Sequence, residues 1–301
     1  MKPINYILTP LLLTALLTVG CSDDEQTADN TTAALQLNLN EEPWQGETLQ
    51  LTRATATEEA LKASTTGFGL YCSEFKMAGN THVTWDATYQ RWNYGNLLLW
   101  KHNRGTTVNM YAYAPYDGDG TYADGSSFTV SDGTLMFTTT IGNTTDLLCA
   151  GKTNAKQTDD QGTVTLKFQH VLAKLSFGTI TNHYGRPITL ESISVTGTLY
   201  TSRKLTMATG VWSDEGATTK FSDKPYSSLN QNVAAGETTD FTTSATPLLL
   251  IPDKTVNVTF TISTTDFGKE SFTFSNIPLR QGVNKTLNLT TNNNFEVVIT
   301  D

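Results

Sequence analysis

The sequence predicts an all-β protein built from two tandem β-sandwich domains. Thr, Asn, Ser, Gly, Val and Leu dominate the chain from residue 54 onward, and only 16% of the 301 residues are charged. Short runs with apolar residues at alternate positions recur at regular spacing between turn residues, a pattern typical of sandwiches. Runs with the 3.6-residue period of an amphipathic helix are missing.

The chain opens with the features of an exported lipoprotein. Residues 1–20 combine Lys2 with an apolar run that is too short to span a membrane, which predicts a signal peptide. The next residue, Cys21, ends a stretch that resembles the bacterial lipobox, so we expect Cys21 to be acylated; ordinary signal cleavage is the alternative. The acidic stretch Ser22-Asp-Asp-Glu25 resembles the tag that directs lipoproteins of Bacteroidales to the outer face of the outer membrane, and otherwise it is a solvated linker.

Residues 21–53 form a candidate propeptide that contains one isolated strand. Three leucines at alternate positions place their side chains on one face of this strand: Leu35, Leu37 and Leu39. The small, polar stretch that follows carries Arg53, which a trypsin-like protease could reach. Cleavage between Arg53 and Ala54 would let the strand leave the body and expose an apolar groove lined by unpaired backbone groups.

The C-terminal end of the chain repeats the pattern of that strand. Three apolar side chains again lie at alternate positions: Phe295, Val297 and Ile299. Burying three such side chains contributes on the order of 5–9 kcal/mol before ordering costs are counted. Residues 295–301 are therefore a candidate donor strand that fills the vacated groove of a neighbouring copy. The alternative is that both segments are the ordinary first and last strands of a sandwich.

The chain from residue 54 onward is 248 residues long, which is long for one sandwich and suits two. The polar stretch at residues 157–162 separates two groups of strand-like runs, and we place the domain boundary there. The N-terminal sandwich is expected over residues 54–160. The C-terminal sandwich is expected over residues 161–301 and begins with the strand-like run 164–177.

The net charge of the chain argues against nucleic acid as a partner. The formal net charge is −9, of which residues 1–53 hold −5, so that −4 remains for the body. A body this mildly acidic is not expected to bind nucleic acid.

Cys72 and Cys149 both lie in apolar runs, where they either form a disulfide with each other or are simply buried as thiols. Two cysteines do not make a disulfide framework.

The sequence contains no recognisable catalytic motif, and we expect neither enzymatic activity nor a cofactor. The four histidines lie outside metal and nucleophile motifs: His82, His102, His170 and His183. His170 falls in a strand and is predicted to be packed or hydrogen-bonded. The stretch from Asp117 to Asp124 resembles the start of a calcium loop but lacks the closing glutamate, which favours a turn-rich loop over a metal site.

A surface lipoprotein that captures glycans is the alternative function. Five aromatic residues cluster within sixteen positions, and exposed aromatic faces stack on sugar rings: Trp85, Tyr89, Trp92, Tyr94 and Trp100. The same cluster in a strand-rich domain is more often part of the core. A glycan-binding domain has no use for a removable strand before Arg53, which favours a role in assembly.

Several motifs together resemble the fimbrillin family, the type V pilins of Bacteroidales. Besides the lipobox they are Leu51-Thr-Arg-Ala54, Met110-Tyr-Ala-Tyr-Ala-Pro115, Asp146-Leu-Leu-Cys-Ala150, Leu166-Lys-Phe-Gln-His-Val-Leu-Ala-Lys-Leu175, Leu248-Leu-Leu-Ile-Pro252 and the ending Glu296-Val-Val-Ile-Thr-Asp301. The resemblance covers essentially the whole chain. It departs at Cys149, where family members often have tyrosine.

The resemblance implies a pair of transthyretin-like or Ig-like sandwiches and export as a lipoprotein to the outer membrane and cell surface. It implies cleavage after Arg53 by a trypsin-like surface protease. It also implies polymerisation by donor-strand exchange with other copies and related pilins, in a fimbria that adheres to host or bacterial surface ligands. The presence of both a cleavable arginine and a terminal strand favours a stalk subunit over a tip or anchor subunit.

Overall fold

The structure is a computed structural model that describes residues 36–42, 44–45, 61–72, 79–95, 107–140, 144–156, 163–242 and 245–300. Most of these residues lie in β-strands, and one helical stretch is present at residues 61–63. The all-β prediction is therefore confirmed. In chain order the strands are β1 Gln36–Glu41, β2 Phe68–Tyr71, β3 Thr81–Asp86, β4 Arg91–Asn93, β5 Val108–Ala114, β6 Ser127–Ser131, β7 Thr134–Thr138, β8 Leu148–Ala155, β9 Thr163–His170, β10 Ala173–Asn182, β11 Ile188–Thr206, β12 Val211–Tyr226, β13 Gln231–Val233, β14 Thr238–Asp240, β15 Leu248–Leu250, β16 Thr255–Thr264, β17 Gly268–Pro278, β18 Asn284–Thr291 and β19 Val297–Thr300.

The strands form three sheets. The first sheet has the order β1-β9-β8-β5-β2-β3-β4, and the second has the order β14-β10-β18-β19 with β15 also paired to β10. The third sheet has the order β17-β16-β11-β7-β6, with β12 and β13 also paired to β11. Strand β11 is 19 residues long and pairs with β16 through its first half and with β7 through its last residues. This one strand therefore joins the β6–β7 hairpin to the C-terminal part of the fold.

Three clusters of buried side chains hold the sheets together, and we call them the first, middle and C-terminal cores. The first core lies on one face of the first sheet and includes Leu39, Phe68, Leu70, Val108, Met110, Leu166 and Phe168. The middle core lies where the sheets meet and includes Trp44, Tyr113, Phe137, Cys149, Val171, Leu205, Trp212 and Leu249. The C-terminal core lies between the second and third sheets and includes Leu175, Phe177, Ile193, Phe241, Phe260 and Leu289.

Local sequence explains most of these strands directly. In β9 the buried residues Val164, Leu166 and Phe168 alternate with more exposed ones, as expected where one face of a strand packs on a core. The hairpin of β6 and β7 turns at Asp132 and Gly133, whose φ angles of 47° and 71° are those of a two-residue turn that matches strand twist.

The strand-like run 164–177 is two strands rather than one. Strand β9 pairs with β8 and β1 in the first sheet, whereas β10 pairs with β14, β15 and β18 in the second. The break falls at Val171 and Leu172, which are both buried in the middle core although they are adjacent. The indole N–H of Trp212 donates a hydrogen bond of 2.7 Å to the carbonyl of Val171 and fixes the chain at this crossing.

The division into two sandwiches with a boundary near residue 160 stays a prediction. Strand β9, which follows that boundary in sequence, lies in the same sheet as β5 and β8. The β6–β7 hairpin, which precedes the boundary, shares a sheet with β11. The strand pairing therefore crosses residue 160 in both directions.

Candidate functional site

Strand β1 from the candidate propeptide lies at the edge of the first sheet. It pairs in parallel with β9, from Gln36 opposite Thr163 to Glu41 opposite Phe168. Leu39 is 1% exposed and belongs to the first core, and the half-buried Leu37 packs against the same core. These two leucines thus complete the apolar layer that β9 begins.

The chain beyond β1 continues from the first sheet to the second. The amide of Glu42 donates a hydrogen bond of 2.8 Å to the carbonyl of Phe168, which extends the ladder on β9. Gln45 then forms a parallel bridge with Val283: its amide donates to the carbonyl of Gly282 at 2.7 Å, and its carbonyl accepts from the amide of Asn284 at 2.8 Å. Residues 36–45 therefore bridge two sheets.

Between these two contacts the side chain of Trp44 enters the middle core. It is 7% exposed and stacks on the ring of His170, with 4.2 Å between the centroids and 26° between the planes. Its indole N–H donates a hydrogen bond of 3.3 Å to Asp146 Oδ2. The same oxygen lies 2.9 Å from His170 Nδ1, and Lys174 Nζ lies 5.6 Å from the centre of the indole ring. We call the three side chains around Trp44, those of Asp146, His170 and Lys174, the indole socket.

The expectation that His170 is a packed or hydrogen-bonded residue agrees with its burial and its stacking on Trp44. Trp44 and Asp146 were not singled out from the sequence. One feature of the sequence could have indicated Trp44: it is a lone aromatic residue in an otherwise polar stretch. A large apolar side chain in such a stretch is usually buried against another part of the protein.

At the opposite end of the chain, β19 lies at the edge of the second sheet. It pairs antiparallel with β18, from Val297 opposite Thr291 to Thr300 opposite Asn288. Val297 and Ile299 are half-buried and pack against the C-terminal core, while Val298 and Thr300 are exposed. The predicted alternation of β19 is therefore present in the fold.

Phe295 precedes β19 and is buried at the C-terminal core. Its ring stacks on Phe267 at 5.5 Å and meets Tyr184 and Phe272 at 5.2 and 5.6 Å. The turn before β19 is held by the Asn292 side chain, which accepts hydrogen bonds from the amides of Asn294 and Glu296. Phe295 is thus more firmly packed than the two apolar residues of β19 itself.

Gln45 and β19 contact the same edge of β18. Successive residues of a strand direct their backbone groups to opposite edges, and Val283 accepts from the Lys174 amide of β10 on one side. The Gly282 carbonyl and the Asn284 amide, which bond to Gln45, therefore face the other side, which is the side of β19. The propeptide and the C-terminal strand lie on one edge of β18, near its opposite ends.

Other predicted site residues lie outside the described residues. They are the signal peptide over residues 1–20, Cys21, Leu35, Arg53 and Ala54. Trp100 and His102 fall outside them as well.

The loop from Asp117 to Asp124 uses its carboxylates for backbone hydrogen bonds. Asp117 Oδ1 accepts from the amides of Asp119, Gly120 and Thr121. Asp124 accepts from Ser126 through one oxygen and from the amide and hydroxyl of Thr145 through the other. Within the described part of the chain, no group of three or more His, Cys, Asp or Glu residues is placed to hold a metal ion.

Asp124 fastens this loop to the segment before β8. Burial acts to raise the pKa of Asp124, but the hydrogen bonds from Ser126 and Thr145 outweigh it and lower the pKa to about 2. The carboxylate is therefore charged over the physiological range, and its hydrogen bonds to Ser126 and Thr145 stabilise the loop.

Cys72 and Cys149 are both buried thiols rather than a disulfide. Cys72 belongs to the first core and Cys149 to the middle core. Burial raises the pKa of the Cys149 thiol, which keeps it protonated.

The aromatic residues considered for glycan binding are largely used in packing. Trp92 is buried and meets Phe68 and Trp85 edge-to-face at 5.2 Å. Trp85 and Tyr94 are half-buried against the first core. Among the members of this cluster that the structure describes, Tyr89 alone is exposed, at 69%, and Arg91 lies over its ring.

Together these features define an all-β protein whose first and last described strands are both edge strands with apolar inner faces. The model of the fimbrillin-like family matches residues 45–301, and the chain belongs to that family.

Two solved structures show the same fold. A fimbrial protein from Bacteroides vulgatus ATCC 8482 superposes with a TM-score of 0.61 at 19% identity, covering 89% of this chain and 98% of that one. A candidate cell adhesion protein from Bacteroides ovatus ATCC 8483 has a TM-score of 0.50 at 16% identity, covering 89% and 96%. No curated protein matches the sequence.

None of the helical residues in the described ranges forms a segment long and apolar enough to cross a membrane.

Proposed function

We propose that this chain is a structural, non-enzymatic pilin subunit of a cell-surface fimbria that supports adhesion. Membership of the fimbrillin-like family supports a role in a surface fimbria, as does the shared fold with the fimbrial protein of Bacteroides vulgatus. The partners in this role are other copies of the chain and related pilins. Host or bacterial surface ligands would bind the assembled fimbria.

The proposed route to the surface begins with a lipoprotein precursor. Residues 1–20 direct export, and acylated Cys21 holds the precursor in the outer membrane. A trypsin-like surface protease then cuts between Arg53 and Ala54. Residues 21–53 act as a propeptide that keeps the precursor from polymerising, because β1 within it blocks the edge of β9.

One observation carries this proposal: β1 is an edge strand whose side chains complete a core. Removing β1 would expose the backbone edge of β9 over six paired residues. It would also uncover the apolar surface of the first core against which Leu39 is buried, at 1% exposure. An open strand edge beside an apolar groove binds another strand. A subunit that loses its propeptide thereby becomes able to accept a partner.

The strand proposed to fill the groove is the C-terminal one of a neighbouring copy. Phe295, Val297 and Ile299 lie at alternate positions, as do Leu35, Leu37 and Leu39. Strand β19 also lies at a sheet edge and pairs with β18 over only four residues, so it can detach without opening the centre of a sheet.

The experiment is to follow polymerisation of the purified chain from which residues 1–21 have been omitted. Limited trypsin treatment should give a mature chain that begins at Ala54 by N-terminal sequencing. It should also give a ladder of oligomers on gels, and chain that has not been treated should stay monomeric. A mature chain that begins at Ala54, has been separated from the fragment of residues 22–53 and still remains monomeric at high concentration would contradict strand exchange.

A further inference from the structure

The segment from Gln36 to Gln45 is held at two separate places, and they belong to different cores. Leu39 enters the first core through the ladder on β9, whereas Trp44 enters the middle core through the indole socket. Cutting the chain after Arg53 breaks none of the contacts that these residues make. The strand is therefore still bound when the peptide bond has been cut.

The indole socket is built for a ring that carries an N–H donor. His170 supplies a flat surface at 4.2 Å from the indole centroid, and Asp146 supplies the acceptor for the indole N–H. Lys174 adds a positive charge over the ring. Stacking and the directed hydrogen bond together select tryptophan over an aliphatic side chain of similar size.

The backbone on the far side of Trp44 adds a second attachment. Gln45 makes two hydrogen bonds to Gly282 and Asn284, on the edge of β18 that β19 also uses. Trp44 is consequently flanked on both sides by backbone pairing, to β9 through Glu42 and to β18 through Gln45. An incoming strand that displaces β1 from β9 alone leaves Trp44 and Gln45 in place.

We propose that Trp44 is a latch that retains the cut propeptide, and that its departure from the indole socket limits the opening of the groove. This inference rests on the proposed function, because it explains how a propeptide already cut after Arg53 continues to block the groove. A cleaved subunit then stays protected as a non-covalent complex. The groove opens only when both the strand and the indole have been displaced.

The test measures how long the cut N-terminal fragment stays bound to the body, independently of natural cleavage after Arg53 and of polymerisation. The full chain with Cys21→Ser receives a site for a specific protease in place of residues 47–52, and it is cut at low concentration. Mass spectrometry of gel-filtration fractions then gives the rate at which the N-terminal fragment leaves the body. We expect the wild-type fragment to co-elute with the body.

Substitution of the latch should speed this release. Truncating a buried aromatic anchor costs more than the 1.4 kcal/mol that corresponds to a factor of ten, so the Trp44→Ala fragment should leave at least about tenfold faster. Trp44→Phe keeps the stacking and loses the N–H donor, and its release rate should be intermediate. The matched control Gln36→Ala changes an exposed residue on the same segment and should release like wild type.

A second measurement removes any effect of these substitutions on folding. A synthetic peptide of residues 34–46 is added to the wild-type body from which the fragment has been stripped. The wild-type peptide should bind at least about tenfold more tightly than the peptide with Trp44→Ala. Equal binding of the two peptides, or immediate loss of the wild-type fragment on cutting, would overturn the latch. The stripped body is kept at a concentration at which gels show no oligomers, so that neither result depends on polymerisation.

Discussion

Replacement of Val297 by Asp should block assembly while leaving the monomer folded. Val297 is half-buried at the edge of the second sheet and lies opposite Thr291. Full burial of a valine contributes about 1.5–3 kcal/mol, so the loss of a half-buried one costs the monomer about 1 kcal/mol. An aspartate at this edge can also turn its carboxylate toward water. The melting temperature of a chain of this size should then fall by roughly 2–4 °C.

The same substitution has a much larger cost in the groove of a neighbouring copy. The depth of that groove is indicated by Leu39, which is 1% exposed. A carboxylate without a partner at such a position costs several kcal/mol, because it loses hydration and gains no counter-charge. Each 1.4 kcal/mol is a factor of ten in affinity, so contact between subunits should weaken at least about a hundredfold.

The assay compares two variants of the cleaved chain. Thr300→Asp is the matched control, because Thr300 lies on the exposed face of the same strand. Thermal unfolding measures the monomers, and oligomer ladders on gels measure assembly. Val297→Asp should melt close to wild type and form no ladder, and Thr300→Asp should form one. If Val297→Asp unfolds the monomer, β19 is a fixed strand of its own sandwich and the donor assignment is wrong.

Three further outcomes are expected. Arg53→Ala should leave a lipidated precursor that folds but forms no fibres, and fibres of normal length from this variant would refute cleavage at this site. Cys21→Ser should abolish incorporation of a fatty-acid analogue, and unchanged labelling would remove Cys21 from the proposal. Asp124→Asn should lower stability in urea at pH 7, because an amide nitrogen cannot accept from Thr145. Since folding lowers the pKa of Asp124 to about 2, its contribution is complete above the unfolded pKa of about 4 and is lost as pH falls toward 2. The difference between wild type and Asp124→Asn should therefore shrink between pH 4 and pH 2, and a constant difference would contradict it.

The apolar faces of the two terminal strands could be predicted from the sequence because a two-residue period is a local property. Leu37, Leu39, Val297 and Ile299 all point toward cores, as their spacing indicates. The all-β class follows from the same repetition along the chain. A strand that is exposed on most of its length gives a weaker signal, and β12 was accordingly not singled out.

The pairing of those strands was decided by tertiary structure. The run 164–177 carries an almost continuous strand pattern, yet β9 and β10 lie in different sheets. The partners of Trp44 likewise could not be predicted from the sequence, since Asp146, His170 and Lys174 converge on it from more than 100 positions away. Alternation specifies which face of a strand avoids water. The choice of partner depends on the combined burial and hydrogen bonding of several strands, which no single segment of the chain encodes.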